Sequence, residues 1–156
     1  MPVDAKSFKD ALSRFPSGVT VVTVEDADEV LGITVSAFLS VSLDPPLVLV
    51  SIDRRARSHD VFARAERFAV SVLGVGQEAV SNFYAGYKQP GQTVDLVRPD
   101  GAVPVVPEAL VWLQCALHAA VPAGDHTLYI RRVDGVTVRE GEPLLYFRGR
   151  YRTFAE

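Results

Sequence analysis

Four hydroxyls fall at even spacing in one short stretch of this chain. Gly32 to Pro46 reads GITVSAFLSVSLDPP, with Thr34, Ser36, Ser40 and Ser42 as polar positions and Val35, Ala37, Phe38 and Val41 between them. Side chains two apart on an extended strand share a face, so Thr34 sides with Ser36 and Ser40 with Ser42. Asp44-Pro45-Pro46 then stops the ladder, because proline has no N–H to give it. Buried hydroxyls need partners, and a ligand rich in oxygen and phosphate would supply them. An edge strand with its hydroxyls in water satisfies the same spacing.

A second group lies one strand further on. Leu47-Val48-Leu49-Val50-Ser51-Ile52 is a nearly continuous apolar run, as expected of a strand covered on both faces. It leads into Asp53-Arg54-Arg55-Ala56-Arg57-Ser58, with three arginines in four positions. Ser58 is placed to cap a helix reaching about Arg67. Arginines beside a helix start outline a phosphate site; solvated loop charges account for the same residues equally well. The hydroxyl stretch and the arginines flank one strand, so one elongated ligand with a phosphate at its end would touch both.

Other chemistry is scarce. No GxSxG elbow offers a serine nucleophile, and no GxGxxG follows a strand. Cys115 stands alone in an apolar run, which makes it a core thiol and rules out an intramolecular disulfide or a cysteine metal cluster. His59, His118 and His126 lack metal-ligand spacing. A polar cradle with so few reactive side chains suits a cofactor that carries the reaction itself.

The elements that must position these groups read as follows. The 156 residues, 48% hydrophobic and 22% charged, suit one folded domain. A net charge of −3 argues against a general nucleic-acid binder. The N-terminus has no continuous apolar core of a signal peptide, and no run approaches the roughly 18 apolar residues of a membrane span, so a cytoplasmic protein is expected. Residues 4–15 predict an amphipathic helix with Phe8, Ala11, Leu12 and Phe15 on one side and Asp4 as its cap. Strands are expected at 19–24, from 30 into the hydroxyl stretch, at 47–52, 68–73, 109–121, 127–138 and 144–154, and helices at 58–67 and 77–85. Residues 86–107, rich in glycine and proline, form a long irregular excursion of the kind that is functional or mobile. Strands joined mostly by hairpins, with helices inserted midway, predict a mostly β protein, a β-barrel with helical insertions.

Four segments of the chain then resemble the flavin reductase family with the FMN-binding split-barrel fold, the reductase components of two-component flavin-dependent monooxygenases. They are Phe15 to Thr23, Gly32 to Pro46, Phe68 to Leu73 followed by Gln77, and Gly124-Asp125-His126 with Pro143 to Tyr146 and Gly149-Arg150-Tyr151. The resemblance covers nearly the whole chain. It implies hydride transfer from NADH or NADPH to FMN or FAD, with no catalytic side chain. It also implies delivery of reduced flavin to a partner monooxygenase, and a homodimer with flavin near the subunit interface. Thr34, Val35, Ser36, Ala37, Ser40, Val41 and Ser42 would hold the ring and ribityl chain. Ser51, Ile52 and Asp53 would line the same pocket, Arg57 and Ser58 would hold the phosphate, and Phe83 and Tyr84 would sit near the adenine or phosphate end. His126 and Tyr151 would contact the nicotinamide nucleotide. Two rivals on related barrels are a flavin or heme carrier without turnover and an oxidase of the pyridoxamine-phosphate type.

Overall fold

The computed structural model describes residues 2–154. Helix α1 (Ala5–Ser13) starts at Asp4, whose carboxylate accepts the Ser7 N–H at 2.9 Å and the Ser7 hydroxyl at 2.6 Å. Strands β1 (Ser17–Gly18) and β2 (Thr20–Asp26) follow, the second dense in β-branched residues. Then come β3 (Glu29–Val35), β4 (Phe38–Ser42), β5 (Leu47–Asp53), α2 (His59–Arg64), β6 (Arg67–Val72) and α3 (Glu78–Tyr84). Two long strands, β7 (Val111–Ala123) and β8 (His126–Val138), precede the short β9 (Leu145–Phe147) and β10 (Arg150–Arg152).

Seven strands pair antiparallel in the order β3-β2-β6-β7-β8-β5-β4. The two end strands are consecutive in sequence and only Ser36-Ala37 separates them. A two-residue link forces the sheet to curl until its ends meet. Val35 and Phe38, on either side of the link, accordingly pack against one interior cluster with Val22, Val50, Phe68 and Val70. Val61 and Phe62 of α2 join that cluster. Yet β3 and β4 make no ladder with each other, so the barrel is split at this seam. The mostly β architecture with inserted helices is the one expected.

Two expectations are corrected, and two elements gain detail that the sequence did not give. The C-terminal strand is a hairpin, because Arg148 (φ 52°) and Gly149 (φ 75°) form a two-residue turn with both φ values positive. With β1 it makes a separate three-stranded sheet, β1-β9-β10. Helix α2 ends at Arg64, short of Arg67, because Arg67 has already joined β6 against Ala116. The apolar side of α1 is present but buried nowhere; Phe15 is 78% exposed.

Residues 86–107 form the irregular excursion expected, and its end is anchored. Val103, Val105 and Val106 are buried against the outer face of the sheet beside Ala69 and Leu73. Gln114 bonds both the N–H and the C=O of Val103, the Thr23 hydroxyl donates to the Pro104 carbonyl, and the Ser71 hydroxyl accepts the Val106 N–H at 3.0 Å. Buried polar side chains on β2, β6 and β7 thus find their partners in this segment.

Candidate functional site

The site grows from the alternation of β5. Val48, Val50 and Ile52 point into the barrel, which leaves Leu47, Leu49, Ser51 and Asp53 on the outer face. Leu49 pairs with Leu39 of β4, and Asp53 pairs with His126 of β8. Above this face lies a groove of about 900 Å³. Its walls include Leu12 and Phe15 beside α1, the Ser36-Ala37 link, Phe38, Leu39, Leu49, Ser51, and Tyr146 and Gly149 of the C-terminal hairpin. A more polar groove of about 500 Å³ adjoins it, sharing Val19, Ser36, Tyr146 and Gly149 and adding Thr34, Ser81, Asn82, Tyr87 and Tyr151. Both open beside the split, where β3 and β4 are each hydrogen-bonded on one side only.

One step beyond Ser51 along β5 the arginine loop meets the Gly124-Asp125 turn. Gly124 (φ 63°) takes the first position of this two-residue hairpin loop, where a side chain would be strained. The Arg54 N–H donates to the Asp125 carbonyl at 2.9 Å. Arg55 is spent on Asp53, whose carboxylate it holds from both backbone and guanidinium at 2.8 Å. That pairing pulls the Asp53 carboxyl far below the usual carboxylate range. Asp125 is lowered too, by its hydrogen bond with His126 Nδ1 at 2.7 Å. Arg54 and Arg57 are exposed and have no ion pair among the described residues.

The sequence candidates divide accordingly. Ser36, Ala37 and Ser51 line the larger groove and Thr34 and Tyr151 the smaller. The Thr34 hydroxyl already donates to the Ser81 carbonyl at 2.6 Å. Val35, Ile52 and Ser58 are buried, so they reach a ligand only through main chain. Ser58 makes no side-chain capping bond, and α2 is six residues long, so any anion here rests on the arginines. Ser40 and Ser42 do not share a face: a register shift between them sets Ser40 opposite inward Val48 and Ser42 opposite outward Leu47. They and Val41 lie outside both grooves.

Phe83 and Tyr84 lie outside both grooves as well. Tyr84 lies flat on Gly32, where an added Cβ would stand 2.5 Å from its ring, and packs into the cluster around Val19 and Val21. Phe83 meets Tyr84 edge-on at 4.8 Å and carries Lys88 over its ring at 5.2 Å. Tyr151 bonds α3 through Ser81 and Asn82, whereas His126 bonds Asp125. The spacing rules missed Leu12, Asn82, Tyr87 and Tyr146 as groove walls. Tyr146 sits in a segment already singled out; the others carry no local signal.

Residues 12–155 match the flavin reductase like domain family. The chain belongs to this family. An NADH-dependent flavin reductase from a Rhodococcus species is 45% identical over 148 residues, spanning 93% of this chain and 84% of that protein. The reductase component of 4-hydroxyphenylacetate 3-monooxygenase from Thermus thermophilus is 43% identical over 148 residues, spanning 94% and 95%. Among solved structures, the flavin reductase PheA2 in its native state matches with a TM-score of 0.94 at 38% identity, over 99% of this chain and all of that one. The fold of this flavin reductase is therefore the split barrel. Among the described residues no helix is long and apolar enough to cross a membrane, and no cluster of His, Cys, Asp or Glu is arranged for a metal.

Proposed function

We propose that this flavin reductase oxidises NADH or NADPH with FMN or FAD as the acceptor and releases reduced flavin to a separate flavin-dependent monooxygenase, as a homodimer in the cytoplasm. The observation that carries the reading is the groove at the split with the arginine loop one strand step away. A flavin is a flat, largely apolar tricycle with one polar edge and a distant phosphate. The groove has apolar walls in Leu12, Phe15, Leu39 and Leu49, hydroxyls at Ser36 and Ser51, and the main chain of the Ser36-Ala37 link. These residues fit such a ring. When bound, the flavin accepts hydride from the nicotinamide and stores it.

The chain's own part is binding and orientation. Main-chain groups of Ser36 and Ala37, with the Ser51 hydroxyl, would hold the polar edge of the ring. Leu12, Phe15 and Leu39 would keep water from it. Arg54 and Arg57 would hold the phosphate, and His126, fixed by Asp125, would position the nicotinamide nucleotide. No side chain is required as acid or base. The exposed apolar residues Phe8, Leu12, Phe15, Leu39 and Leu43 give a second copy of the chain a face to cover. Anaerobic mixing with each flavin and each nicotinamide tests the activity: the visible absorbance of oxidised flavin disappears in at least one pairing. Persistent absorbance in all four refutes it. Sedimentation analysis reads the dimer directly.

A further inference from the structure

We propose that His59 is the positioning residue that holds the arginine loop in its phosphate-binding shape. The inference rests on the reading that Arg54 and Arg57 grip the flavin phosphate. The loop is attached to the β7–β8 hairpin at both ends. At its start, the Arg54 N–H bonds the Asp125 carbonyl. At its end, His59 Nε2 sits 2.9 Å from the Thr127 hydroxyl and 3.1 Å from the Tyr129 hydroxyl. Between these anchors the Ala56 N–H bonds the Asp53 carbonyl and the His59 N–H the Ala56 carbonyl, and only the Ser58 carbonyl reaches out, accepting the Val61 and Phe62 N–H groups of α2.

The imidazole turns inward, as do the side chains of Ala56, which packs on the interior cluster, and Ser58, which is buried. The His59 side chain is 15% exposed, whereas Arg54, Arg55 and Arg57 are all open to solvent. Its far partner is rigid. Tyr129 is buried, and the Arg131 guanidinium lies over its ring at 5.3 Å and over Phe68 at 5.2 Å while bonding the Phe62 carbonyl of α2. Thr127 directly follows His126, so the same strand end fixes the nicotinamide candidate and the loop. Removing the imidazole frees the loop's C-terminal end two residues from Arg57. The ordering then falls on the ligand at binding, at a cost of about tenfold in affinity for one residue's worth of backbone freedom.

The phosphate dependence of that loss separates positioning from folding. FMN and riboflavin, which has the same ring without the phosphate, are titrated by flavin fluorescence against the native protein and variants. His59→Ala is expected to weaken FMN about tenfold and leave riboflavin unchanged. His59→Gln, whose amide reaches the same hydroxyls, restores FMN binding. Equal losses for both flavins, no loss for either, or a Gln variant as weak as Ala overturns the proposal. If His59→Ala does not fold, Thr127→Val, which removes one partner hydroxyl and keeps the shape, is read by the same FMN-selective loss. The double variant Arg54→Ala/Arg57→Ala checks the underlying reading. If it loses FMN selectively and His59→Ala does not, the positioning role fails alone; if FMN binding survives it, the phosphate assignment fails and the proposal with it.

Discussion

Replacing Tyr151 with phenylalanine removes one oxygen and tests whether this residue binds a nicotinamide or locks the fold. Its hydroxyl is 2.7 Å from Ser81 Oγ and donates to Asn82 Oδ1 at 2.8 Å, tying the C-terminal hairpin to α3. The ring would stay in place against Tyr146, with centroids 5.5 Å apart. Asn82 is exposed, so water replaces its lost bond at a cost of about 0.5–1.5 kcal/mol. Ser81 is fully buried, and stranding its hydroxyl costs about 1–3 kcal/mol. A combined loss of about 1.5–4.5 kcal/mol follows, a fall in Tm of roughly 3–18 °C for a chain of this size. The hydroxyl is already engaged twice, so it has little left to offer a nucleotide. Thermal melts by circular dichroism should show the drop, while KM for NADH, taken well below the melt, moves less than about twofold. A Tm within about 1 °C of the parent together with a KM raised more than about fivefold would refute the reasoning and return Tyr151 to the nucleotide.

Gly32→Ala drives a methyl into the Tyr84 ring and should cost about 1–3 kcal/mol in urea denaturation; Tyr84→Leu in the same chain should recover most of it, and no recovery would mean the clash is not the cause. His126→Ala should raise KM for NADH more than KM for flavin, and equal changes would rule out its nucleotide role. Burial pushes the Cys115 thiol up to about 12 from an ordinary 9.0, so the unfolded chain loses this proton first as pH rises. Stability should therefore fall above about pH 9, by at most about 1.4 kcal/mol per pH unit from this group, until the folded thiol also ionises. Cys115→Val lacks that contribution, and parallel stability–pH curves for parent and variant between about pH 8 and 11 would contradict it.

What the sequence made legible was local. The β-branched run of β2, the Asp4 cap, the double-proline stop after β4 and the glycine turn before His126 each follow from a few neighbouring residues. The groove positions of Ser36 and Ser51 came from the family resemblance: Ser36 lies in the link between two strands, and the 47–52 run, nearly all apolar, reads as covered on both faces. Ser40 and Ser42 went wrong where alternation itself fails, at a bulge that depends on the register with β5. The 86–107 segment is irregular, as its composition says, but its anchorage was not legible there. Its glycines and prolines advertise irregularity, whereas its order comes from Thr23, Ser71 and Gln114 on distant strands. Tyr84 looks like a ligand aromatic until Gly32, far back in the chain, proves to be its seat.

In the proposed reaction little is asked of side chains, and the split accounts for that. A closed barrel would consume the inner and outer edges of every strand in its ladder. Here the two-residue link brings β3 and β4 to the seam without pairing them, and the edges nearest the link, at Thr34 and at Phe38-Leu39, line the grooves. Main-chain polar groups held at such an edge are fixed by the sheet, so they require no reorganisation as charge develops on a bound ring. The same unpaired edges would invite association if left bare. The apolar stripe of α1, bare in the single chain, flanks that seam with Leu12 and Phe15. In the proposed dimer, one partner surface covering the stripe would shield the edge and dry the groove at once, which couples folding economy to the exclusion of water that hydride transfer needs.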